Sequence, residues 1–63
     1  MSVIKAIREE LGITQAELAE KVGVDQSTVA YWESGRYLPS TANLLKLSQV
    51  LDCSLDRLMG LDG

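Results

Sequence analysis

Apolar residues recur at helical spacing in five segments of the chain, and the alternating pattern of a strand appears in none of them. The first segment gives Ile4, Ile7 and Leu11. The second gives Leu18, Ala19 and Val22, and the third Val29 and Trp32. The fourth gives Leu44, Leu47 and Leu51, with Ser48 on the same side. The fifth gives Leu55, Leu58 and Met59. Each set forms one stripe of an amphipathic helix. Val24 and Leu38, between segments, are expected to close the core.

The punctuation agrees with the stripes. Gly12, Gly23, Gly35 and Gly60 each follow a helical stretch, where a left-handed residue stops a helix without a Cβ penalty. Ser2, Thr14, Asp25, Ser40 and Ser54 each stand where an N-cap side chain accepts a backbone N–H. "TQAE", from Thr14 to Glu17, also has the capping-box form. Pro39 forbids the third segment from running into the fourth. Helices are therefore predicted over about 3–11, 15–22, 26–34, 41–51 and 55–59. The expected fold is all-α, five helices joined by short connections into one compact domain over residues 1–63.

Composition narrows the function. The chain has 63 residues, 46% hydrophobic and 24% charged, as is ordinary for a globular domain. No apolar run approaches the length of a membrane span. The start, "MSVIKAIREELG", has no apolar core of a signal peptide, so the cytoplasm is the expected compartment. With one cysteine and no histidine, neither a zinc site nor a disulfide framework is expected. Cys53 reads as a small apolar packing residue. The commonest general base is missing, and Glu9/Glu10 and Glu17/Glu20 lie on solvent-facing patterns. No enzymatic activity and no cofactor are expected.

Two charges interrupt the stripes. Arg8 shares the face of Ile4 and Leu11, and Glu33 lies four residues after Val29 and beside Trp32. An unpaired charge on a core-facing side is costly. Their opposite signs predict an ion pair between the first and third helices, in preference to separate extension toward water.

Segments 15–22 and 26–34 are joined by Gly23-Val24-Asp25. Two short helices around a three-residue turn containing Gly have the form of a helix-turn-helix. Ala19, small and in mid-helix, permits the close crossing. On the third helix Val29 and Trp32 define the buried side. Ser27, Ala30, Tyr31 and Ser34 fall opposite, and Gln26 lies in the exposed first turn. This surface is small, polar and hydrogen-bonding, which suits base edges in a DNA major groove.

At these residues the chain resembles a known family. "TQAELAEKVGVDQSTVAYWESGRYLPS" is similar to the Cro/cI-type (XRE-like) helix-turn-helix of phage and bacterial repressors. The likeness is carried by Thr14-Gln15, Leu18-Ala19, Val22-Gly23-Val24, Val29, Trp32-Glu33-Ser34-Gly35 and Leu38-Pro39-Ser40. "NLLKLSQVLDCSLDRLMG" is similar to the family's last two helices. The resemblance implies a lambda-repressor-like fold and a transcriptional regulator, a repressor, that binds double-stranded DNA. It implies that helix 26–34 enters the major groove, with two copies on a pseudo-palindromic operator. By resemblance, Gln26, Ser27 and Tyr31 face bases. Thr14, Gln15, Thr28, Gly35 and Arg36 contact phosphates, the last two through their amides, with Arg36 adding charge. Arg8 and Glu33 match an ion pair of some repressors. Tyr31 departs from the Gln, Arg or Asn common at its position, and Ser48 from a common Ala.

The net charge of −3 runs against a nucleic-acid partner, and it is the distribution that matters. Asp52, Asp56 and Asp62 belong to the last third. The four glutamates of the first two helices lie on outer faces. The expected DNA face carries Arg36 and Lys21. Val50, Met59 and Leu61, with Leu45, are the candidate apolar contacts of a homodimer. The alternative function is a protein-interaction module of the same fold, such as an antitoxin or accessory factor. No small-molecule site is visible.

Overall fold

Thr14, Ser40 and Ser54 begin three helices in the same way. The Thr14 hydroxyl accepts from the Glu17 amide at 3.0 Å, and the Glu17 carboxylate accepts from the Thr14 amide at 3.0 Å, closing a capping box. Ser40 Oγ accepts from the Asn43 amide at 3.2 Å, and Ser54 Oγ from the Arg57 amide at 3.1 Å. The computed structural model describes residues 1–60. Its helices are α1 (Ser2–Glu10), α2 (Gln15–Val22), α3 (Gln26–Ser34), α4 (Thr41–Val50) and α5 (Leu55–Leu58), and no strand occurs among the described residues. Two expected caps differ. Ser2 is the first residue of α1 rather than its cap, and Asp25 stands at the cap position of α3 without a side-chain cap bond.

The turn between α2 and α3 rests on Gly23, whose φ is 89°. Its amide donates to Ala19 O at 2.8 Å, and the next amide, of Val24, donates to the same carbonyl at 3.0 Å. This closes the helix end and turns the chain back on itself. No glycine ends α4. Asp52 takes the left-handed conformation there, at φ 51°, one of the few L-residues that visit it at low cost.

α2 packs on α3, and Ala19 of α2 is buried. α1 lies against α3 and α5, and α4 against α2 and α5. The shared interior holds Ile4, Ile7, Leu18, Ala19, Val22, Val29, Trp32, Leu47, Leu51 and Leu58, with Val24 packed at its edge. Ser48, half-buried on the core-facing side of α4, donates to Cys53 O at 2.7 Å, so its hydroxyl is satisfied. Cys53 packs against the core, and burial pushes its thiol pKa up.

Four apolar positions differ from expectation. Leu11 is exposed, because Arg8 occupies the inner face past Ile7 and Ile13 covers that end of the core. Leu38 is exposed and Pro39 is buried in its place. Pro39 precedes the Ser40 cap and lines one depression with Leu44, four residues into the helix, as the two halves of a hydrophobic staple do. Met59 is exposed, having passed the end of α5, while Val50 packs against the core.

An added Cβ at Gly23 would meet no atom within 4 Å, so only the backbone conformation resists substitution. Gly23→Ala is expected to lower stability by about 1 kcal/mol in urea unfolding. Gly23→Asn is expected to cost less. Equal losses for both variants would mean that the left-handed conformation is not what matters there.

Candidate nucleic-acid interface

Helix α3 divides into two sides. Val29 and Trp32 are buried, Gln26, Ser27 and Ser34 are exposed, and Thr28, Ala30 and Tyr31 are half-buried between them. At the start of α2, Thr14 is exposed and Gln15 half-buried. The packing of α2 on α3 holds these two helix starts in one unit.

Arg8 and Glu33 meet between α1 and α3. Arg8 Nε donates to Glu33 Oε2 at 2.7 Å and Arg8 Nη2 to Oε1 at 3.2 Å, with the side chains 11% and 5% exposed. Arg8 Nη1 donates to Ile13 O at 2.8 Å. Gln15 Nε2 donates to Glu33 Oε1 at 3.0 Å. One network thus joins α1, the α1–α2 connection, α2 and α3. Burial pushes the Glu33 carboxyl pKa up. The hydrogen bonds from Arg8 and Gln15, and the charges of Arg8 and Lys5, more than offset this and hold it below its ordinary value. The same hydrogen bond raises the Arg8 pKa. Gln15 spends one side-chain N–H on Glu33 and keeps the other.

The end of α3 does not have the free amides that were expected of it. Gly35 N donates to Trp32 O at 3.3 Å, and Arg36 N to Tyr31 O at 2.9 Å. Both amides therefore close the helix, and the donors left at this turn are on the Arg36 guanidinium. That guanidinium lies over the Tyr31 ring, 4.9 Å from its centroid, and over the Tyr37 ring at 5.7 Å. Tyr37 was missed by sequence reasoning. Its available signal was an aromatic one residue past a cation, just beyond a helix-stopping glycine. Lys21, exposed near the end of α2, borders a shallow depression with Glu17 and Glu20.

Residues 4–58 match a family model described as helix-turn-helix. The chain belongs to the Cro/cI-type (XRE-like) helix-turn-helix family. Members of this family are DNA-binding transcriptional regulators and not enzymes. This helix-turn-helix chain is 44% identical over 50 residues to an uncharacterised HTH-type transcriptional regulator of Methanothermobacter thermautotrophicus, covering 79% of the chain and 72% of the relative. It is 43% identical over 56 residues to repressor protein C2 of Salmonella phage P22, covering 89% of the chain but 26% of that repressor. The crystal structure of the P22 c2 repressor in complex with a synthetic operator has the same fold. It matches with a TM-score of 0.84 at 44% identity, over 87% of this chain and 83% of that one. No helix among the described residues is long and apolar enough to cross a membrane.

Arg8→Ala and Glu33→Ala are each expected to cost about 3 kcal/mol, because each leaves the other charge buried without a partner. The double variant is expected to cost much less than the sum, and additive losses would show that the two do not couple. The Glu33 pKa is lower folded than unfolded, so its contribution is present above the ordinary carboxylate pKa of about 4.3 and is lost as pH falls through the folded value. A pH series of thermal unfolding is expected to fall more steeply below about pH 4 for the wild type than for Glu33→Gln.

Proposed function

We propose that the chain is a sequence-specific transcriptional repressor that lays α3 in the major groove of an operator, as one of two symmetry-related copies. The observation that carries this reading is the surface of α3. Its first turn presents Gln26 and Ser27 to solvent, while Val29 and Trp32 on the other side anchor the helix. A Gln amide can bond adenine in a bidentate manner, and Ser can bond several base edges. Tyr31 lies one turn further along, at the groove wall. Thr14 and Gln15, beside the N-terminal end of α2, contact one phosphate. Thr28 and the Arg36 side chain contact others. Support comes also from the likeness to a repressor whose structure contains an operator.

One helix of this size reads a few base pairs, so two copies are needed on half-sites about 10 base pairs apart. Of the apolar contacts first expected, Val50 is half-buried against the core and Leu61 lies outside the described residues. Met59 and Leu45 remain, both exposed. Met59, with Met1, Leu38, Pro39 and Leu44, lines a shallow apolar depression of about 250 Å³. The second copy is proposed to cover this surface, which begins one residue after Tyr37.

Binding selection from a random DNA pool tests the reading. Gln26→Ala and Ser27→Ala are expected to relax preference at particular base pairs by about 1–3 kcal/mol each. Gln15→Ala is expected to weaken all sequences alike. A uniform loss from Gln26→Ala would show that α3 does not read bases. A full palindrome is expected to bind far more tightly than a half-site, and equal affinities would rule out the paired arrangement. Selection of no DNA by folded protein would favour the protein-interaction alternative.

A further inference from the structure

We infer that Tyr31 and Tyr37 clamp the Arg36 guanidinium in place for a DNA phosphate at the end of α3, so that both tyrosines are positioning residues for a backbone contact rather than readers of sequence. This rests on the DNA-binding reading above and assigns roles within it.

The clamp is built by the turn. Gly35, at φ 82°, reverses the chain over the last turn of α3. The Arg36 amide donates to Tyr31 O at 2.9 Å and the Tyr37 amide to the same oxygen at 3.4 Å, while Ser34 Oγ donates to it at 3.1 Å. One carbonyl thereby fixes the backbones of residues 31, 36 and 37 together. The two rings meet edge to face, with centroids 5.3 Å apart and planes at 83°. Arg36 Cζ sits in the corner they make, over both rings. A guanidinium is planar and weakly hydrated, and it stacks on aromatic faces without giving up its outward N–H groups.

Burial does not account for Tyr37, which is 57% exposed. Nor does a carboxylate hold Arg36, for the ion pairs among the described residues are Arg8–Glu33 and Arg57–Glu10. The charge also sits at the C-terminal end of a helix, where a cation is favoured. What remains is a fixed cation with a free fork of donors, the geometry that takes a phosphate through two parallel bonds. The amides of this turn are already used, so the guanidinium must supply the contact. Tyr31, with one face under Arg36 and its ring against Tyr37, is not free to swing into the groove. The departure at Tyr31 and the presence of Tyr37 have one explanation.

The experiment has two arms on the intact chain. In the free protein, NMR is expected to show upfield ring-current shifts of the Arg36 side-chain protons, and Tyr37→Leu is expected to reduce them, leaving the smaller shift from the Tyr31 ring alone. In titrations with a selected DNA site, Tyr37→Leu is expected to weaken every sequence about two- to fivefold per subunit, the worth of an exposed cation–π contact. Tyr37→Phe, which keeps the ring, is expected to bind like the wild type. In an Arg36→Gln background, Tyr37→Leu is expected to change nothing further. Tyr31→Phe is expected to leave the selected sequence unaltered. A Tyr37→Leu loss that persists without Arg36, a changed base preference in Tyr31→Phe, or absent ring-current shifts would each overturn the clamp. Normal shifts with no DNA selected would instead overturn the DNA-binding reading, and with it phosphate as the clamp's ligand.

Discussion

The arrangement of the first three helices depends on one buried pair of charges. Arg8 and Glu33 lie on core-facing stripes of a domain too small to hide either charge alone. A buried pair contributes little over a well-packed apolar pair, while a broken one costs several kcal/mol. The pair is therefore better understood as a constraint than as a source of stability. It admits one relative placement of α1 and α3, the one in which a planar guanidinium meets a carboxylate along two bonds. Through Ile13 O and Gln15 Nε2 the same placement extends to the start of α2. The two helix starts of the candidate interface are thus set in register by a contact that is largely buried.

The first turn of α3 gives up helix propensity for a polar surface. Ser and Thr each cost about 0.5 kcal/mol relative to Ala in a helix. Burying Val29 and Trp32 supplies about 2–3 kcal/mol apiece, so packing outweighs propensity several times over. The turn can then be chosen for what it shows to solvent. Asp25 fits the same account. It stands at the cap position without making the cap bond, and α3 forms nonetheless because its buried side holds it.

What was legible in the sequence was local or periodic. Thr14, Ser40 and Ser54 cap through bonds that span three residues, and Gly23 turns the chain within its own neighbourhood, so each signal is complete in a short window. The stripes located α1 to α5 within a residue or two. The partnership of Arg8 and Glu33 was legible because both break a stripe and have opposite signs. The failures fall where no period applies. Nothing in a connection says which of Leu38 and Pro39 points inward, and the staple of Pro39 to the helix after it decides the matter. The Gly35 reversal was foreseen, but not that it would consume the Gly35 and Arg36 amides, nor that it would fold Tyr37 back beside Tyr31. Those outcomes depend on bonds to Tyr31 and Trp32 carbonyls across a turn, which residue types alone do not declare.

An acidic chain that binds DNA must use its few cations well. At a net charge of −3, sequence-independent attraction to phosphates is weak, and the handful of contacts it does make must be effective singly. On the proposed interface two phosphate-facing groups are held before DNA arrives. Gln15 is tied to Glu33 by one N–H, and Arg36 rests between two rings. A free Gln or Arg side chain loses rotamer freedom when it binds, and a held one has lost it already on folding. Preorganisation therefore substitutes for charge. It also explains why an exposed aromatic and a buried carboxylate belong to the same interface: each holds in place a neighbour that does the contacting.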